Sequence, residues 1–240
     1  MGRQELSLYI VPKLLSFFTT IFFVTSLQSS AFPAETKFTD EKISFSDLDK
    51  HIAQQPAINN IVAQGIMRPV SVTQFAPDAP VSLGEFAVSL QHMLNLPPPS
   101  KTYDFVDVSP DSPIYGAVQA VGPYLGRQAL CPGCALQNTF DPYRPLTVGE
   151  AAVTLVLILM SQKKLQLLTQ GDADRTVANI PGGADLLPPS RLFLGTALKS
   201  GLIALTPDGA IKASQQYTRA DFAVLLDRTQ THFQIERVRP

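Results

Sequence analysis

Three segments of this chain begin alike: Ser82-Leu83-Gly84-Glu85, Thr147-Val148-Gly149-Glu150 and Thr218-Arg219-Ala220-Asp221. In each, a hydroxyl residue stands three positions before an acid. The hydroxyl can accept from the third amide of a helix, and the acid can bond back to the cap amide. An acid there also suits the positive end of the helix dipole. Asp221 is shorter than Glu, so its return bond is the weakest of the three. Apolar residues follow at helical spacing: Phe86, Leu90 and Leu94; Ala151, Leu155 and Leu159; Phe222, Leu225 and Leu226. Such spacing makes one buried face. A start repeated three times in register confines the chain to a repeat architecture built on helices.

The register extends upstream. An apolar residue lies seven positions before each hydroxyl, at Phe75, Phe140 and Ile211, and Pro77 and Pro142 follow the first two. Further back, a second helical pattern ends in glycine. It reads Ala57-Ile58, Ile61-Val62, Gly65-Ile66 in the first unit and Phe193-Leu194, Ala197-Leu198, Gly201-Leu202 in the third. Both glycines stand 17 positions before the hydroxyl, where a left-handed helix C-cap fits. The second unit reads Ala117-Val118, Val121 and Leu125-Gly126, with 21 positions from Gly126 to Thr147. Its extra length contains Cys131-Pro132-Gly133-Cys134. Phe45/Asp47 and Phe105/Asp107 open the first two units, each Asp ten residues before Ala57 or Ala117. The third unit lacks this opening. There, Gly171 to Pro189 reads as a long loop, with Asp172 and Asp174 in a solvated acidic turn.

The expected fold is therefore all-α: three helix–loop–helix units at 43–96, 105–162 and 185–232, forming one bundle with pseudo-threefold symmetry. Leu96-Pro97-Pro98-Pro99 separates the first unit from the second. A unit of about 50 residues buries its apolar helices poorly alone, whereas three together can share a core.

The first 31 residues differ. Arg3 precedes an apolar stretch whose cleanest part, Leu14 to Leu27, is 14 residues long. A signal-peptide core has about 7–15 apolar residues and a spanning helix about 20. Ser29-Ser30-Ala31 supplies small residues for cleavage, so residues 1–31 are expected to be a signal peptide. The alternative is an uncleaved anchor from Leu6 to Leu27 that tolerates Lys13, and only that alternative brings membrane contact. Either way the rest is exported, to the periplasm, envelope or cell surface. Export favours a disulfide between Cys131 and Cys134, with a redox pair or half a metal site as the other readings.

Charged residues make up 16% of the chain and the net charge is −1, which gives no basic field for nucleic acid. Phosphate-binding, dinucleotide, zinc-protease and serine-hydrolase motifs are missing. His51, His92 and His232 have no motif spacing. No catalytic residue, cofactor or metal is expected.

The repeating unit resembles the S-layer-homology motif, which has an F-x-D-[LV] opening, a first helix ending in a G-I turn, an F-x-P loop, and T-R-A-E-F before a second helix. The matches are Phe45/Asp47, Gly65-Ile66, Phe75/Pro77 and Glu85-Phe86; then Phe105/Asp107, Phe140/Pro142 and Thr147/Glu150; then Gly201-Leu202 and Thr218-Arg219-Ala220-Asp221-Phe222. The resemblance implies a compact helical bundle and a non-enzymatic role at the cell envelope, holding on to cell-wall polysaccharide. In the family the arginine of T-R-A-E helps grip the glycan at the helix N-terminus, where a guanidinium beside a helix start suits a carboxylate. The resemblance thus points to Thr218, Arg219 and Asp221, with Thr147, Glu150, Ser82 and Glu85, as polysaccharide-binding candidates. The departures are that the arginine is replaced by Leu83 and Val148 in the first two units, and that the usual Trp is absent, with Ile114-Tyr115 near its place. Simple capping for the hydroxyl–acid pairs and an ion pair for Arg219 are the structural alternatives. Eroded motifs also suit a second role, as an accessory subunit of an envelope or membrane protein complex.

Overall fold

A computed structural model describes residues 44–130 and 138–234, all within the compact unit Asp40–Pro240. The expected leader and the Cys131–Cys134 pair lie outside the described residues.

The described residues form eight α-helices: α1 (Gln55–Ala63), α2 (Leu83–Leu94), α3 (Tyr115–Val121), α4 (Arg127–Leu130), α5 (Val148–Ser161), α6 (Gln170–Val177), α7 (Pro188–Lys199) and α8 (Arg219–His232). A short 3-10 turn, Gly122–Tyr124, follows α3. Among the described residues there is no strand, only three isolated antiparallel bridges. The fold is all-α.

The helix signals act where the spacing put them. Ser82, Thr147 and Thr218 are the N-caps of α2, α5 and α8, each hydroxyl accepting from the amide of the acid three residues on. Only Thr147/Glu150 closes the reciprocal box. Gly65 and Gly201 follow α1 and α7 with φ of 65° and 73°, the left-handed stop that glycine adopts without a Cβ clash. Gly126 serves differently. Its φ is not positive, and a Cβ there would lie 1.8 Å from Val153 Cγ1, so it lets the backbone press against α5.

The expected loop from Gly171 is not wholly a loop. The segment read as a loop from Gly171 contains α6, capped by Thr169 accepting from Asp172 N. Asp172 pairs with Arg175 and Asp174 with Arg191, so neither sits in a free turn. Thr169-Gln170-Gly171-Asp172 carries the same hydroxyl–acid spacing as the other caps, but the low hydrophobicity of the residues that follow hid it. Ala173 and Val177 bury the face that packs on α7.

The core is assembled between segments distant in sequence. α3 packs on α2, α7 on α5 and α1 on α8. The last contact joins the two ends of the unit. Asn60 Nδ2 donates to Asp227 at 2.5 Å, and the Gln64 and Gln230 amides bond reciprocally at 2.9 and 2.7 Å. Phe75, Phe86, Phe140 and Phe222 are wholly buried in one apolar cluster.

The F-x-D aspartates anchor the loops. Asp47 accepts from Phe75 N and Ala76 N, and Asp107 accepts from Phe140 N and Asp141 N. These bonds hold Ala76 (φ 58°) and Asp141 (φ 60°) in the left-handed region, which disfavours ordinary side chains. Without such an aspartate, the third loop ties Ile211 N to Pro181 O at 2.9 Å.

Candidate functional site

The three capped helix starts meet in a closed ring. Val81 N donates to Tyr217 O at 3.0 Å, Tyr217 N to Leu146 O at 3.0 Å, and Leu146 N to Val81 O at 2.8 Å. The first two amides of each helix then bond to a neighbouring loop. Leu83 N and Gly84 N donate to Arg144 O and Pro142 O, Val148 N and Gly149 N to Gln215 O and Ala213 O, and Arg219 N and Ala220 N to Ala79 O and Pro77 O. This approach needs a small second residue, since a Cβ on Gly84 would come within 3.0 Å of Pro142 O and one on Gly149 within 3.1 Å of Ala213 O.

A helix start offers orphan amides, and these could have faced a glycan carboxylate. Here the first two are bonded to loop carbonyls and the third to the cap hydroxyl. Ser82, Thr147 and Thr218 are thus brought together, but as structural caps. Sequence spacing located them correctly and could not show that neighbouring loops would saturate them.

The first residue of each helix reaches into a seat formed by the neighbouring loop. Arg219 is 6% exposed. Its Nε donates to Phe75 O at 2.8 Å, one Nη donates to Arg68 O at 2.6 Å and the other pairs with Glu85. The Phe75 ring lies 4.7 Å from the guanidinium carbon, within cation–π range. Glu85 is therefore drawn away from its own cap amide. Leu83, at the equivalent place on α2, is fully buried. Glu150 takes Arg144 through both oxygens, at 3.0 and 2.5 Å.

Val148 is too short to fill the third seat. Beside it lies a pocket of about 210 Å³, lined by Ala204, Ile211, Tyr217, Asp221 and Arg228. The Asp221 side chain and the Arg228 guanidinium make no ion pair or hydrogen bond among the described residues. Burial pushes the Tyr217 phenol well up, with the Asp221 charge adding to the rise and Arg228 opposing it. Of the seven candidates, Asp221 alone lines this pocket. Tyr217 and Arg228 were missed because neither belongs to the repeated start; the one signal is that Tyr217 precedes a cap.

The equivalent glutamates Glu85 and Glu150 titrate on opposite sides of the ordinary value. Burial raises Glu85, and the Arg219 charge and hydrogen bond only partly offset it. Burial also pushes Glu150 up, but the Arg144 hydrogen bond and charge and the Thr147 hydroxyl and amide outweigh it, leaving it lowered. Linkage gives the signs. Glu150 contributes stability present above the ordinary glutamate value and lost as pH falls through its lowered one. Glu85 opposes folding once ionised, and the cost is relieved as pH falls from its raised value through the ordinary one. Carboxyl-carbon NMR titration is expected to place the Glu85 midpoint above that of Glu150; the reverse order would refute the assignment of burial and charge made here.

Among the described residues no helix is long and apolar enough to cross a membrane, and no group of three His, Cys, Asp or Glu side chains could hold a metal. The arrangement is a helical module whose capped helix starts interlock, with a pocket beside α8. Residues 44–87, from the Phe45/Asp47 opening through the first turn of α2, match the S-layer homology domain family. The protein carries an S-layer homology domain there, and such domains associate proteins with the cell envelope. No curated protein matches the chain.

Proposed function

We propose that the protein is a non-catalytic envelope protein whose three units at 43–96, 105–162 and 185–232 form one S-layer-homology-like module docking on cell-wall polysaccharide. The closed ring at Val81, Leu146 and Tyr217 supports this reading, because it links the starts of α2, α5 and α8 in one hydrogen-bonded circuit, and residues 44–87 of the first unit match the family. The open pocket beside α8 is the docking place. Arg228, without an anionic partner among the described residues, meets a negatively charged substituent of the polymer, and Asp221 and Tyr217 meet its hydroxyls. Arg219 acts indirectly by holding the ring together. No cofactor is needed.

Sedimentation with purified sacculi tests this. Binding is expected, lost when the secondary polysaccharide is stripped and weakened about tenfold by Arg228→Ala, in line with one charge-assisted hydrogen bond. Failure to bind intact sacculi would sink the reading. The second reading, an accessory subunit of an envelope protein complex, draws on the saturated helix starts and the buried Arg219, which leave little of the family's glycan grip exposed. It predicts co-purification with a protein partner that is insensitive to stripping.

A further inference from the structure

We propose that Tyr143, at the tip of the second unit's loop, is a stacking platform for a sugar ring of the wall polymer. This rests on the docking reading above and adds a contact on a different loop from those that line the pocket beside α8.

Three turns share one pattern of bonds. Ala79 N donates to Ala76 O at 3.1 Å, Arg144 N to Asp141 O at 3.0 Å and Gln215 N to Lys212 O at 3.0 Å. The second residue of each turn, Pro77, Pro142 or Ala213, offers its carbonyl to the second amide of a capped helix, and the fourth, Ala79, Arg144 or Gln215, offers its own to the first. The third residue is left at the tip. In the first turn it is Asp78, whose carboxylate meets His51 Nε2 at 3.1 Å. In the last it is Ser214, small, polar and exposed. In the middle turn it is Tyr143, which at 91% is the most exposed large hydrophobic side chain among the described residues. A side chain so exposed adds almost nothing to the core, so the fold does not account for an aromatic ring at this tip.

The backbone under the ring is fixed. Asp107 accepts from Phe140 N and Asp141 N at 2.8 and 2.7 Å. Arg127 donates to Thr139 O and Phe140 O at 2.6 and 2.5 Å. Glu150 grips Arg144 through both oxygens. A contact group held in place beforehand loses little freedom on binding, and tyrosine adds only two rotatable bonds to a large amphipathic face. The negative face of the ring suits the polarised C–H groups on the apolar side of a pyranose, while the phenol at its edge stays in water. A sugar fits better here than a protein partner. Pro142 is buried, and the flanking Asp141 and Arg144 are charged, so the turn offers one flat ring and no contiguous apolar patch of the kind a protein covers.

The test sediments the full chain and two variants with purified sacculi. Tyr143→Ala should weaken binding about fivefold, the scale of one aromatic stacking contact. Tyr143→Phe keeps the face and should bind within about twofold of the wild type. Circular dichroism melts of all three should coincide, because the side chain buries almost nothing, so a loss of binding is not a loss of fold. The polysaccharide stripped from the sacculi then serves as a soluble probe by NMR. The ring-proton resonances of Tyr143, assigned by their absence from Tyr143→Ala, should shift as the polymer is added. Unchanged sedimentation of Tyr143→Ala beside a binding wild type overturns this proposal and leaves wall docking standing. An equal loss in Tyr143→Phe also overturns it, because the hydroxyl and not the face would then be the contact. Failure of the wild type to bind intact sacculi overturns wall docking and the platform together.

Discussion

A fragment spanning residues 44–96 is expected to be unfolded, although it contains the whole segment that matches the S-layer homology domain and both of its helices. α1 packs chiefly on α8, and the first amides of α2 bond to Arg144 O and Pro142 O. Cut out, the fragment would expose Ile58, Ile61, Val62, Phe86 and Leu90, all buried in the intact chain. Each of these large side chains contributes about 1.5–3 kcal/mol when buried. A helix of 9 residues such as α1 is too short to persist alone in water. Circular dichroism should therefore show coil for 44–96 and a cooperative helical melt for 44–234. A chain ending at Gln216 should fail as well, since it removes α8 and opens the ring at Tyr217. Cooperative melting of 44–96 would show that one unit is self-sufficient and would contradict this account of the core.

Replacing Arg219 by alanine is expected to lower the stability of the unit by about 3–5 kcal/mol, the range for breaking a buried ion pair by removing one partner. The change strands the Glu85 carboxylate in a half-buried site and leaves Phe75 O and Arg68 O without donors. Total stability of a domain is about 5–15 kcal/mol, so the variant would sit near the edge of folding. Urea denaturation monitored by ellipticity measures the loss. Lysine should rescue only part of it, because an ammonium cannot reproduce the planar fork. A loss below about 1 kcal/mol would place Arg219 among exposed ion pairs and return it to the list of free ligand-binding groups. Any drop in wall binding by Arg219→Ala thus needs a folded control before it is read as loss of a contact.

The legible parts were local. Hydroxyl–acid spacing placed the starts of α2, α5 and α8, because a cap is a bond between residues three apart and needs nothing from elsewhere. Gly65 and Gly201 marked helix ends for the same reason. α6 was missed although Thr169 and Asp172 carry the spacing, since its sequence buries only Ala173 and Val177 and its stability comes from packing on α7. Gly126 was read in register with the cap glycines, yet its role is set by Val153, a neighbour only in three dimensions.

Site chemistry was the least legible part. Arg219 followed by acid and aromatic residues reads as a ligand group, and nothing local says whether its guanidinium turns outward or inward. Phe75, Arg68 and Glu85 decide that, from more than a hundred residues away. The same holds for Val148, which is an unremarkable helix start in sequence and an open seat in the structure. By itself the sequence determined the starts of α2, α5 and α8 and the ends of α1 and α7, because these follow from hydrogen bonds and apolar spacing within one turn of chain. Only the tertiary structure decided that all three helix starts are sealed and that the seat beside Val148 is open, because each is completed by carbonyls and side chains of a segment distant in sequence.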